Sequence, residues 1–241
     1  VFIPMATLLS GSRMIHMNRF LCILNPISLV VLFACSGQEQ EHQNSGLNDK
    51  FLSKDLDVTQ WVERFEKEGR EIFDQRQEIV DALGITKKMV VADIGAGTGL
   101  FEALFAKKVG ENGKVLAVDI AQGFLERIQG MGLGNVETVL CDEHSTGLSK
   151  DTVDLMFVCD TYHHFGFPED TLASMNSALK SGGRLFIVDF HRIEGESSDW
   201  IMEHVRADEA TFTKEIEAAG FRLAGKHDIL KENYILEFVA P

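Results

Sequence analysis

The chain has 241 residues, 45% of them hydrophobic and 25% charged, which is the make-up of a globular chain with room for one full core and not two. Against 37 Asp and Glu stand 23 Lys and Arg, a net charge of −14, so a nucleic-acid backbone would be repelled unless a local basic patch intervened, and the sequence holds none. The acids are spread along helical stretches, as a solvated surface requires.

Residues 20–34, FLCILNPISLVVLFA, form an apolar stretch behind Arg13 and Arg19. It is short for a membrane span, and Asn25 and Pro26 interrupt it, so it reads as the apolar region of an export signal. The run LFACS at 32–36 resembles the lipobox of bacterial lipoproteins, with Phe33 bulkier than that position usually holds. The resemblance implies a lipid anchor on Cys35 and membrane contact in the cell envelope, with a cytoplasmic location as the alternative. The following SGQEQEHQNSG has no apolar residue before Gly46 and cannot offset its own ordering entropy. The expected organisation is therefore a targeting segment at 1–35, a polar linker at 36–50 and one domain at 51–241. Cys141 and Cys159 are too few for a disulfide framework and read as buried free thiols.

From residue 51 the chain becomes periodic. Val62, Phe65, Ile72, Phe73, Ile79, Val80 and Leu83 recur at helical spacing, which predicts a long or broken helix over 58–83 with a kink at Gly69 and a stop at Gly84. Then apolar runs alternate with helical segments: MVVADI, a helix at 100–109, KVLAVDI, a helix at 124–129, VETVLC, VDLMFVC, a helix at 169–180, and RLFIVDF. Runs with so little alternation are strands buried on both faces of a parallel sheet. After a helix at 208–219, FRLAGKHDIL and NYILEFVA are separated by so short a turn that they must form an antiparallel hairpin. The fold class is a doubly wound α/β domain.

Gly95, Gly97 and Gly99 follow the first strand and open a helix, which places a backbone-lined ligand site at the carboxyl edge of the sheet. Asp93 stands just before them, where its charge would oppose a pyrophosphate and welcome a cation. With Leu100 where a dinucleotide fingerprint wants Gly or Ala, a nicotinamide-cofactor enzyme is disfavoured. Asp119, 26 residues beyond Asp93, stands where an acid accepts hydrogen bonds from ribose hydroxyls, and Asp142 and Asp160 end the third and fourth strands.

On VVADIGAGTG, GKVLAVDI, LCDE, FVCDTYHHF and LKSGGRLFIVDF, the chain resembles the class I S-adenosylmethionine-dependent methyltransferases, particularly the small-molecule type related to quinone-biosynthesis enzymes. The resemblance implies a Rossmann-like seven-stranded sheet of order 3-2-1-4-5-7-6. It also implies S-adenosyl-L-methionine held by Asp93, Gly95, Ala96, Gly97, Gly99, Asp119, Ile120, Asp142, Glu143 and Asp160, and methyl transfer to a small-molecule acceptor. An exported binding protein on the same scaffold, without turnover, is the alternative.

Methyl transfer needs a base only when the acceptor must lose a proton, and Asp160, His163 and His164 stand where an acceptor would enter. A metal centre of Asp160, His163, His164 and His191 is set aside, because adjacent histidines on a loop seldom face one ion. The segment HRIEGESSDWIMEHVRAD at 191–208 reads as an acceptor lid, with Trp200, Met202, His204 and Arg206 on its wall.

Overall fold

A computed structural model describes residues 46–241. The export signal, Cys35 and the first ten residues of the polar linker lie outside the described residues. The last five linker residues are folded: Gly46 to Asn48 form a turn, helix α1 (Asp49–Leu52) follows, and Asn48 is buried. The domain boundary expected at 51 therefore moves back to include them. Among the described residues, no helix is long and apolar enough to cross a membrane.

The helix expected over 58–83 is broken into α2 (Val58–Phe65), α3 (Glu71–Asp74) and α4 (Arg76–Ala82). The break is at Gly69, whose φ of +86° no helix can hold, and it turns Arg70 inward. Next come β1 (Val90–Ile94), α5 (Glu102–Val109), β2 (Lys114–Asp119), α6 (Gln122–Gly130), β3 (Val136–Leu140) and β4 (Val153–Cys159). A 3₁₀ turn at Tyr162–His164 leads to α7 (Pro168–Ala178), β5 (Leu179–Phe190), α8 (Asp199–His204), α9 (Glu209–Ala218), β6 (Arg222–His227) and β7 (Asn233–Val239). The helix expected to reach residue 180 stops at Ala178, because β5 begins at once, pairing Leu179 with Val153 before a bulge shifts the register to Arg184 and Leu155.

The seven strands lie in the order 3-2-1-4-5-7-6, as expected. Strand β1 is central, parallel to β2 and β4, and buried on both faces. One face packs on Leu172, Met175, Phe212 and Ile216 of α7 and α9, the other on Ile79, Leu83 and Phe105 near α4 and α5. The terminal pair is antiparallel, with β7 inserted between β5 and β6. Burial decides that order: NYILEFV is almost wholly enclosed, whereas RLAGKH is mostly exposed and carries the charge that suits an edge strand.

The Glu71 side chain helps to tie the hairpin to the N-terminal helices. The Glu71 carboxylate accepts N–H bonds from Lys231, Glu232 and Asn233 at 2.6, 2.9 and 3.0 Å. Replacing it, Glu71→Ala, is expected to lower stability by about 1–3 kcal/mol through the donors left without an acceptor. A urea midpoint equal to that of the unaltered chain would show that water replaces the carboxylate at no cost.

Candidate active site

All the strand-end acids face one cavity of about 550 Å³ at the carboxyl edge of the sheet, a size that suits a cofactor and a small acceptor together. At its base Gly95 and Ala96 donate N–H bonds to Val118 O at 2.8 and 3.1 Å, and the Gly99 N–H closes a turn on Ala96 O at 3.0 Å. These bonds hold the loop against β2 and leave Gly97 at the cavity wall. Asp119 braces the same loop. Its Oδ2 accepts the Gly97 N–H at 2.8 Å and its Oδ1 the Ala121 N–H at 2.7 Å, so each oxygen keeps one lone pair for a ligand.

Asp93 and Asp119 are 2% and 6% exposed, and a third acid, Glu102 at the start of α5, is fully buried beside them. Neither Glu102 oxygen has a hydrogen-bond partner. Burial, then the charge of Glu102, holds the Asp93 carboxyl well above the usual range. Burial likewise raises Glu102 to about 7 and Asp119 to about 6, with the backbone N–H groups of Ala121 and Gly97 pulling the latter partly back. Three buried acids without a matching cation are the electrostatic imprint of a positively charged ligand. Glu102 lies outside the matched motifs, and its only sequence signal was an acid in the first helical turn after the glycines.

Asp142 is exposed and caps its own turn, Oδ1 accepting the His144 and Ser145 N–H groups at 2.8 Å each. Glu143 accepts Asn48 Nδ2 at 2.8 Å, so the segment before α1 covers that corner of the cavity. Ile120 lines the same wall.

Asp160 sits at φ +47°, a strained conformation for a non-glycine residue. Its Oδ2 meets Arg70 Nη2 at 2.5 Å and its Oδ1 accepts Asn233 Nδ2 at 2.7 Å. Burial raises its carboxyl to about 6 against the opposing pull of Arg70. With both oxygens engaged, Asp160 ties the α2–α3 turn to the β7 hairpin. That geometry gives it an anchoring part at the cavity wall.

The two histidines do reach the cavity. His163 is buried against Asp189 of β5, which accepts its ring N–H at 2.8 Å and its backbone N–H at 3.1 Å, so Nδ1 is the nitrogen tied to Asp189. His164 Nδ1 is buried with no partner. Burial, then the charge of His163 and that of Lys50, lowers His164 to about 2, and burial with His163 lowers His204 to about 4. His204, at the end of α8, stacks on Trp200 with ring centroids 4.6 Å apart, and both side chains line the cavity. Arg206 does not: it faces away, in a two-pronged pair with Glu215 at 2.6 and 2.8 Å beneath Tyr162. Met202 contributes its carbonyl to Arg192. His191 lies apart beside Glu209 and Tyr234. Both thiols are free, with burial pushing Cys141 up to about 12 and Cys159 well above the ordinary thiol range, which argues against thiolate chemistry.

A family model described as a methyltransferase domain matches residues 85–237. Ubiquinone/menaquinone biosynthesis C-methyltransferases of Escherichia fergusonii and Salmonella arizonae are 32% identical over 118 residues, 47% of this chain and 47% of theirs. The chain thus spans about half the length of these curated relatives. Among solved structures, an S-adenosylmethionine-dependent methyltransferase from Aquifex aeolicus is 26% identical, with a TM-score of 0.68 over 77% of this chain and 99% of its own. A putative methyltransferase of Haloferax volcanii, solved with its Trm112 activator, shares the fold at 15% identity and a TM-score of 0.66, over 81% and 97% of the two chains. With the glycine loop, the buried acids and the strand order all in place, this chain belongs to the methyltransferase-domain family and has the fold of the S-adenosylmethionine-dependent methyltransferases.

Proposed function

We propose that the cavity transfers a methyl group from S-adenosyl-L-methionine to a small aromatic or quinone-like acceptor, with a ring carbon as the nucleophile. The observation that carries this reading is the trio of Asp93, Glu102 and Asp119, buried around the glycine loop with no cation of their own. Bound there, the cofactor supplies an electrophilic methyl group on a sulfonium. Asp93 and Glu102 neutralise its positive charge, the free lone pairs of Asp119 accept the ribose hydroxyls, and Gly97 lets the backbone approach. Asp142, Glu143 and Ile120 line the wall assigned to the adenine. Beyond them Phe51, Trp61, Phe190 and Trp200 give the acceptor half an aromatic surface, and the histidines are its polar groups. The relatives' C-methyltransferase activity supports the carbon nucleophile.

Calorimetric titration with S-adenosylmethionine and with NAD, followed by a methyl-release assay on a panel of phenols and quinols, tests the proposal. Cofactor binding without turnover on any acceptor would favour a binding protein on this scaffold. Failure to bind S-adenosylmethionine would remove the reading altogether.

The titrations of the acids give a sign. Their folded values lie above the roughly 4 of an exposed carboxyl, so the folded, ligand-free chain retains protons that the unfolded chain has lost. Their contribution to stability is greatest below about pH 4 and declines as pH rises through the values of about 6 and about 7 for Asp119 and Glu102. A cationic ligand reverses the preference. Its affinity is expected to rise as pH climbs through the values of about 6 and about 7 of Asp119 and Glu102, with protons released on binding. Titrations in two buffers of different ionisation heat would show this, and an affinity that falls with pH would contradict it.

We further propose that Cys35 carries a lipid and holds the protein at the envelope membrane. The support is the sequence pattern of residues 20–36, and each buried CH₂ of an acyl chain would add about 0.8 kcal/mol of attachment. Cys35→Ser is then expected to release the protein from the membrane fraction or to leave a larger precursor. A full-length, unprocessed chain in the cytosol would overturn the proposal.

A further inference from the structure

The strongest feature that methyl transfer does not absorb is the meeting of three imidazoles. His163 and His164 leave the 3₁₀ turn side by side, ring centroids 4.4 Å apart, and His204 comes down from α8 to 5.0 Å from each. One ring nitrogen from each lies within 4.8 Å of the other two. Asp189 holds His163 by Nδ1, so the nitrogen it offers is Nε2, and a carboxylate behind an imidazole is the arrangement that orients a metal-ligating histidine. His164 Nδ1 is buried without a partner, a cost that a ligand in the gap would remove.

We propose that His163, His164 and His204 form a site for a divalent transition-metal ion of the zinc type, with an open position on the cavity that takes an oxygen of the acceptor. One hydrogen-bond donor would satisfy one ring, whereas an ion at the centre satisfies three converging nitrogens at once. Three imidazoles and a vacant fourth position are the donor set of catalytic zinc sites. Zn–N bonds of about 2.0–2.1 Å place tetrahedral nitrogens about 3.4 Å apart, so α8 must close by roughly an ångström. His204 is at the end of that six-residue helix, on the lid segment. Lys50 opposes the ion and Asp189 offsets it. The expectation that adjacent histidines on a loop seldom face one ion did not include the 3₁₀ turn that carries them or His204 as the third ligand; Asp160 and His191 lie outside the cluster. Only the occupant of the open position rests on the methyltransferase reading: an ion-bound phenol oxygen would lose its proton to solvent, and His163 would serve as ligand and not as base.

The test is titration of the metal-stripped full chain with Zn²⁺ alone, and with Co²⁺ followed by its visible absorption. One ion per chain is expected, with the intense Co²⁺ bands of a four-coordinate site. His204→Ala should weaken Zn²⁺ binding at least about 100-fold and bleach those bands, and Asp189→Asn should weaken it about 10- to 100-fold. His204→Glu, which restores a ligand, should recover most of the affinity, a recovery that loss of packing against Trp200 would not produce. S-adenosylmethionine titrated into the same samples should bind within a few-fold of the unaltered chain, so that failure of the metal site and failure of the cofactor reading are told apart. No stoichiometric Zn²⁺ binding, or binding indifferent to His204→Ala, would overturn the proposal.

Discussion

Asp93→Asn is expected to weaken S-adenosylmethionine binding by roughly 100- to 1,000-fold, about 3–4 kcal/mol, while making the ligand-free protein melt at a higher temperature. The two effects have one cause. Asparagine keeps the shape of Asp93 but removes an ionisable group enclosed with Glu102 and Asp119. Without a ligand its charge is a liability, repelled by its neighbours and cut off from water. With a cation present it is the main source of attraction, in a cavity where water screens little. Calorimetry and a thermal melt on the same preparation measure both quantities. An affinity within threefold of the unaltered chain would mean that the acids do not face the cofactor. A lower melting temperature would mean that they are paired in some other way.

The glycine loop gives the second large effect, and the three glycines are expected to divide. A Cβ on Gly95 would stand 2.3 Å from the Thr161 side chain, at a φ of +78° that disfavours any L side chain. Gly95→Ala should therefore cost stability, by about 3–5 kcal/mol from overpacking and backbone strain together. Gly99 is enclosed in the same way, with Met131 and Ile128 at 2.5 and 2.9 Å. At Gly97 the added Cβ meets nothing nearer than the Phe65 ring at 3.8 Å. There the side chain would project into the cavity, so Gly97→Val should fold, with a modest loss from its φ of +55°, and should abolish detectable cofactor binding. A denaturation curve and a binding isotherm for each variant separate the cases. A Gly97→Val protein that binds normally would show that the loop is only a turn, and a Gly95→Ala protein of unaltered stability would contradict the packing between β1 and Thr161.

Much of this was legible in the chain. Uninterrupted apolar runs announced strands buried on both faces, the short turn at 231–233 forced an antiparallel pair, and the strand-end acids Asp93, Asp119, Asp142 and Asp160 do line one cavity. Such features are local in sequence, because a parallel strand of a doubly wound sheet delivers its carboxyl end to the same edge every time. Asp160 shows the limit. Its place at the edge was readable, but its partners Arg70 and Asn233 lie 90 and 73 residues away, and they turn a free acid into an anchor.

By itself, the sequence determined the sheet, its order through resemblance, and an acidic cation site at the glycine loop, since periodicity and strand-end position act over short spans. Only the tertiary structure decided which side chains share that site. It buried Glu102 beside Asp93, folded residues 46–50 over Glu143, locked His163 to Asp189, and brought His204, forty residues further on, against His163 and His164. Side chains converge on a common point through the packing of separate elements, and neither composition nor spacing along the chain records where that point will be.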